Sequence, residues 1–538
     1  MHRRLFACAL IFLSLAGYRG DRGAGTAGTG GTLIIAAPGD ADVLLPPVAT
    51  TQLAAHVIQR IFPRLAELKL GLNTLDDSGF TPVLARRWEH RDAKTIVFHL
   101  DPRARWQDGV PITSADVVYT FGVYRDSLTA SPYRVNLDPI ASVTAPDAGT
   151  VVFTFRTSYP EQLYDATYQL LMLPKHLLGG IRDDSLASSA FARHPVGAGP
   201  FHFGHWEAGT EISVEADTTW FLGRPHLDRI VWRVMPDVAA SVSALLAGDA
   251  DAIEFVPQRD QIERAARDTM LRLVPYPSPF IGGLIFNLRR PLFADRAMRR
   301  AIGMAVDRET IVRSVFGPWG ETPIGFATRM QWIASGTVRQ LRYDTAEASR
   351  LLDSLGWRRG AGGMRQRAGQ PLEFTVVTPT TSRIRQEVAT LIQNQLAQAG
   401  ISLKIQPLEV SVFDQRTAAG DFEAMMFSRT LDPSPGNMVQ FWASSSVGGE
   451  NFGAYRSPAF DSLLAAATRS RGRTASLPKW HAVLERLNLD APALFLYTPR
   501  NNAAIHRRFE NVTIRPDSWL ATVATWSVAP DRRLPRDR

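Results

Sequence analysis

Short apolar runs alternate along this chain with apolar residues at helical spacing. Residues 32–37 form a compact apolar run closed by Pro38-Gly39-Asp40, which predicts a buried strand. Residues 51–62 place Leu53, Val57, Ile58 and Ile61 on one helical face. Residues 95–100 and 150–155 are β-branched and aromatic, and predict strands. Between them a helix is expected to start near Thr113, with Asp116 at the capping-box position, and to run through Val117, Val118 and Phe121. Pro174 and Gly179-Gly180 break the pattern, which restarts at Gly197. Strands are expected at 201–203, 211–215 and 230–234, then a helix capped by Asp237 and stopped by Gly248, then a short strand at 251–255. Residues 284–287 read as a strand and 296–306 as a helix, and Asp344 with Glu347 opens another helix. Residues 374–377, 383–399 and 402–406 form a β-α-β unit with Gly400 as the helix stop, which implies a parallel strand pair. Further strands are expected at 422–427 and 494–497. Strands and helices alternate throughout, so the class is α/β.

Composition narrows the picture. The 538 residues are 45% hydrophobic and 21% charged, ordinary globular values that exclude a disordered or fibrous chain. The length predicts two to four domains or lobes. Sixty Lys and Arg against 52 Asp and Glu leave a net charge of +8 without a dense basic block, so no nucleic-acid partner is expected.

The N-terminus reads as an address. Met1-His2-Arg3-Arg4 precedes an apolar stretch at 5–16, and Ser14-Leu15-Ala16 offers small residues for cleavage, so 1–16 is expected to be a signal peptide and 17–30 a flexible leader. The sole cysteine, Cys8, would leave with the signal. Leu15-Ala16-Gly17 is lipobox-like, but Tyr18 replaces the lipidated cysteine, so a periplasmic or extracytoplasmic protein without a lipid anchor is expected.

A search for chemistry finds little. Gly23-Ala24-Gly25-Thr26-Ala27-Gly28 matches a dinucleotide fingerprint, but it precedes the first strand instead of following one. There is no Walker lysine, no His-Glu-x-x-His and no Gly-x-Ser-x-Gly, and His202 and His205 would face opposite sides of a strand. No catalytic residue, metal ligand or cofactor is therefore expected. Among the 12 tryptophans, Trp332 and Trp442 lie in non-periodic stretches, as does Phe280, and all three are candidate cleft residues.

Several segments together resemble the solute-binding proteins of peptide and nickel ABC importers, the extracellular solute-binding protein family 5. Residues 31–36, 82–89, 95–100, the run Trp106-Gln107-Asp108-Gly109-Val110-Pro111-Ile112-Thr113 and Asp116-Val117-Val118 are similar to that family's signature elements. So are Gly197-Ala198-Gly199-Pro200-Phe201, the helix end at 245–251, and Phe286-Asn287 with Pro291-Leu292-Phe293 and Arg299-Arg300-Ala301-Ile302. The resemblance implies a large periplasmic-binding-protein fold of type II: two lobes with a hinge, and an extra domain on lobe I. Lobe I would comprise 31–75, 196–272 and 497–538, the extra domain 76–195, and lobe II 273–496.

The resemblance further implies a monomeric ABC-importer receptor that closes on oligopeptides or peptide-like solutes and delivers them to a membrane permease. Asp432, in Leu431-Asp432-Pro433, stands where the family's amine-binding aspartate lies. Arg429 departs from that pattern and would suit an anion. Phe280 and Ile281 follow a segment similar to the strand that contacts ligand backbone, and Thr50-Thr51 would face the cleft from lobe I. The alternatives are the same fold binding an anionic compound, a metal chelate or a glycan, and an exported α/β hydrolase.

Overall fold

The computed structural model describes residues 29–256 and 258–537, so the expectations for the signal peptide, Cys8, Tyr18 and most of the leader lie outside the described residues. Local capping behaves as the sequence implies. Thr51 accepts from the Ala54 N–H (3.4 Å) at the start of helix Gln52–Ile61. Asp116 accepts from the Thr113 N–H (2.8 Å) ahead of helix Ser114–Arg125. Asp237 and Asp344 cap helices Val238–Ala247 and Thr345–Ser354. Each cap supplies an acceptor for an N–H that the helix leaves unpaired.

The strands assemble into one continuous path. On one side Thr32–Ala37 lies between Arg229–Val234 and Ala252–Ile253, parallel to both, and Glu211–Ala216 and Phe201–Glu207 extend the sheet antiparallel. Alternate residues of Thr32–Ala37 enter opposite cores, as the pleat requires. Leu33, Ile35 and Ala37 join Trp232, Trp519 and Trp526, while Ile34 and Ala36 join Val231, Val242 and Leu245. On the other side Glu373–Pro379 pairs in parallel with Ser402–Leu408 across helix Arg383–Gln398, which is the expected β-α-β unit. Ala424–Thr430 and then Phe280–Phe286 continue this second sheet.

One strand, Ala493–His506, belongs to both halves. Its first part pairs with Phe280–Phe286 and its second with Leu271–Pro277 and Ala252–Ile253. The chain crosses a second time between Leu271–Pro277 and Phe280–Phe286, through Ser278 and Pro279. Gly282 and Gly283 let the crossing strands meet: a Cβ at Gly283 would overlap the Leu494 carbonyl, and one at Gly282 the Tyr497 ring. A separate antiparallel sheet of Ala85–Asp92, Thr95–Leu100, Thr150–Phe155 and Ile140–Asp147 packs with helix Ser114–Arg125 around its own apolar core.

Candidate functional site

The largest opening described lies at the carboxyl ends of the parallel strands Thr32–Ala37 and Ala252–Ile253, where open α/β sheets leave room for ligands. It is a cavity of about 520 Å³. Trp232, Met235, Phe255 and Trp519 give it apolar walls, and Thr51, Gln52 and His56 enter from the first turns of helix Gln52–Ile61. Its polar centre is Glu254, whose carboxylate accepts from the Gln52 amide (2.7 Å) and pairs with His56 Nε2 (3.3 Å). The Tyr276 hydroxyl donates to the Glu254 carbonyl (3.2 Å), and His56 meets Trp519 edge-on at 6.2 Å. Thr50 and Thr51 are tied together by Asp42, which accepts from both hydroxyls (2.7 and 3.0 Å).

Phe280 reaches this cavity from the second sheet. Its strand pairs with Ala424–Thr430, placing Phe280 opposite Thr430 and Ile281 opposite Arg429. Ile281 is fully buried in the core behind that face. Trp332 and Trp442 are 4% and 3% exposed and belong to the same core. Trp442 meets Phe326 (5.3 Å) and Phe495 (5.6 Å) edge-on. Neither tryptophan borders the large cavity. Arg429 is committed within its own half: it pairs with Glu450 (3.3 Å) and lies over the Phe452 ring at 5.1 Å.

Asp432 lies two residues beyond the end of strand Ala424–Thr430. Leu431 N–H donates to the Pro279 carbonyl (2.9 Å), and the Gln331 amide donates to the carbonyls of Asp432 (2.8 Å) and Ser434 (3.2 Å). The backbone is thereby pinned while the carboxylate has no hydrogen-bond or ion-pair partner among the described residues. Burial, with a smaller push from Asp517, raises its pKa to about 6. Tyr133, Tyr164 and Tyr168 lie within its field. Tyr133 donates to the Ala49 carbonyl (3.1 Å) and so stands between Asp432 and the Thr50-Thr51 corner.

Behind Asp432 lies a buried ionic network. Arg515 grips Asp517 (2.7 and 3.1 Å) and Glu67 (2.8 Å), and Arg64 completes the set with Glu67 (3.0 Å). Burial opposes ionisation of Glu67, but Arg64 and Arg515 hold it down to about 2. The antiparallel domain also touches the second half here. Glu161 accepts from the Thr74 hydroxyl (2.5 Å) on one side and the Ser434 hydroxyl (2.7 Å) on the other. Sequence reasoning missed Glu254, His56, Trp519, Glu161 and Asp165. The one available signal was the Tyr159, Tyr164 and Tyr168 series interleaved with acids around helix Gln162–Thr167.

Two sheets joined by crossing strands, with a roomy cleft on one side, define a two-lobed, hinged solute-binding protein of type II. Residues 79–450 match the family described as bacterial extracellular solute-binding proteins, family 5 Middle, and the chain belongs to that family. The oligopeptide-binding protein AppA of Bacillus subtilis is 28% identical over 431 residues, 79% of each chain. The dipeptide-binding protein of Escherichia coli is 23% identical over 461 residues, 81% of this chain and 83% of that one. The solved structure of the Bacillus subtilis AppA in complex with a nonapeptide superposes with a TM-score of 0.78 at 25% identity, covering 94% of this chain and 100% of that one. The Listeria monocytogenes substrate-binding protein CtaP shares the fold, with a TM-score of 0.80 at 22% identity over 93% of this chain and 100% of that one.

Proposed function

We propose that this protein captures oligopeptides or peptide-like solutes outside the cytoplasm by hinge closure and presents them to an ABC permease. The observation that carries the reading is the Asp432 carboxylate, desolvated, without a partner among the described residues and held by a pinned backbone beside the crossing at Pro279. A ligand ammonium supplies the missing partner. Residues 31–75, 196–277 and 500–538 act as lobe I, 280–496 as lobe II, and 76–195 as the extra domain, with the strand Leu271–Pro277 pairing within the first half instead of opening lobe II at 273. The crossings at 277–280 and 497–500 serve as the hinge. Ligand contacts reach both lobes only in the closed form, so ligand favours closure by its differential affinity for that form. From Asp432 the ligand runs past Tyr133 and Thr51 toward the cavity walled by Trp519 and Phe280, where an apolar side chain is desolvated. No bond is made or broken.

The electrostatics speak against an anionic solute. Arg429 is already engaged by Glu450, and the carboxylates that line the cavity are Asp40 and Glu254. Native mass spectrometry of the protein as purified, followed by a thermal-shift screen with peptide pools, tests the reading. Ligand at a hundredfold excess over Kd adds about 2.7 kcal/mol of stability, enough for a clear shift. A co-purified ladder of peptide masses, or a shift with peptides, is expected. Protein that carries no peptide and does not respond to any pool overturns the reading.

A further inference from the structure

Beside Asp432 stand two more carboxylates that no protein cation neutralises. Among the described residues Glu161 accepts only from the hydroxyls of Thr74 and Ser434, and Asp165 only from the Tyr159 hydroxyl (2.6 Å). Most cations of the neighbourhood are engaged, and Arg60 lies in the Glu67–Asp517 network and donates to the Leu520 carbonyl. Arg64 pairs with Glu67, Arg515 with Glu67 and Asp517, and Arg471 donates to the Ser158 hydroxyl (2.7 Å). Among these acids lies a second, independent feature. Tyr164 is 3% exposed, yet its hydroxyl has no hydrogen-bond partner among the described residues, and it lies in the fields of Asp432, Glu161 and Asp165 together. A buried hydroxyl without a partner is costly unless something completes it. Three acids and a waiting hydroxyl, clustered where the antiparallel domain meets the second half, are the complement of more than one positive charge.

We infer that the anchored end of the ligand carries two cationic groups: the ammonium that pairs with Asp432 and, close to it, a basic side chain held by Asp165 and Glu161 beside the Tyr164 hydroxyl. The inference rests on Asp432 as the ammonium anchor and narrows the solute class to peptides with lysine or arginine at the leading position. Burial keeps Asp165 protonated up to about pH 8 in the free protein, although the Tyr159 hydroxyl works against it, so an arriving cation displaces a proton there. Glu161 also spans the two halves through Ser434, so a cation bound beside it is sensed by both sides of the cleft.

The test uses the intact protein and a set of hexapeptides that differ only in the first residue: lysine, norleucine or acetyl-lysine. Isothermal titration is expected to show the lysine peptide binding at least about tenfold more tightly than the other two, as one added desolvated charge pair implies. Asp165→Asn is expected to shrink that ratio to about threefold or less. Where that variant does not fold, Glu161→Gln serves, and the acetyl-lysine comparison stands without any variant. Equal affinity for lysine and norleucine peptides overturns this inference and leaves the peptide reading intact. Failure of all three peptides to bind overturns both.

Discussion

Replacing Asp432 by Asn removes one charge and almost no volume, and its effect can be worked out in advance. In the complex, the ammonium and the carboxylate are both out of water, and removing one partner of such a pair costs about 3–5 kcal/mol. Asn retains a dipole toward the ligand, so the lower end applies, about 3 kcal/mol or roughly a hundredfold in Kd. The pH profile gives a second reading of the same residue. With a pKa of about 6, the carboxylate is mostly ionised at pH 7 and mostly protonated at pH 5. The ligand ammonium keeps its charge across this range, so wild-type affinity is expected to fall about tenfold from pH 7 to pH 5. The Asn variant lacks this component. In the free protein the sign reverses. The folded pKa lies above the unfolded one, so ionisation of Asp432 costs stability as pH rises from about 4 through 6. The variant is therefore expected to melt no lower than wild type at pH 7. Titration calorimetry with a free-amine peptide and its N-acetylated twin, at both pH values, measures all of this. An unchanged Kd in the variant, or equal binding of the acetylated peptide, refutes the reasoning.

Three further perturbations bear on the scaffold. Asp251 is fully buried and accepts from Arg508 (2.9 and 3.0 Å), Arg536 (2.7 Å) and the Ile34 N–H (3.0 Å), so Asp251→Asn removes one of the two carboxylates that hold the buried Arg508 guanidinium and leaves Asp537 as the other. The expected loss is about 1–3 kcal/mol in a denaturant titration, with a lowered midpoint. Gly283→Ala drives a methyl into the Leu494 carbonyl where the crossing strands meet, and is expected to cost about 1–3 kcal/mol or more by the same titration; an unchanged midpoint would show that the strands can part there. Ser434→Ala removes one hydroxyl bond to Glu161 across the cleft, and should weaken peptide binding about fivefold by favouring the open form, with a larger radius of gyration in solution scattering.

The local parts of this structure were legible because their causes are local. The Thr113, Asp237 and Asp344 caps and the β-α-β unit follow from neighbours a few residues apart. The cleft was harder, because its parts come from distant segments. Glu254 meets Gln52 some 200 residues away, and Trp519 joins from near the C-terminus. Trp332 and Trp442 sit in aperiodic sequence, which resembles loop, but short turns fold them into the core beside Phe326 and Phe495. Arg429 reads as a free cation until Glu450, 21 residues on, is seen beside it. Asp432 was legible through its resemblance to a motif, whereas its missing partner is visible only in three dimensions.

The interleaving of the chain through the two halves also dictates an order of assembly. The core around Leu33 is closed by Trp519 and Trp526, and the Thr32 N–H finds its acceptor, Asp537 (2.7 Å), 505 residues later. The second sheet draws on strands from Phe280–Phe286 to the first part of Ala493–His506. A chain delivered N-terminus first can therefore complete the second half while the first still lacks its last segment. The earliest residues to emerge are among the last to be sealed. Until then Thr32–Ala37 remains an exposed apolar strand, and a chain stalled or clipped after about residue 510 is a finished lobe carrying an unfinished, aggregation-prone one.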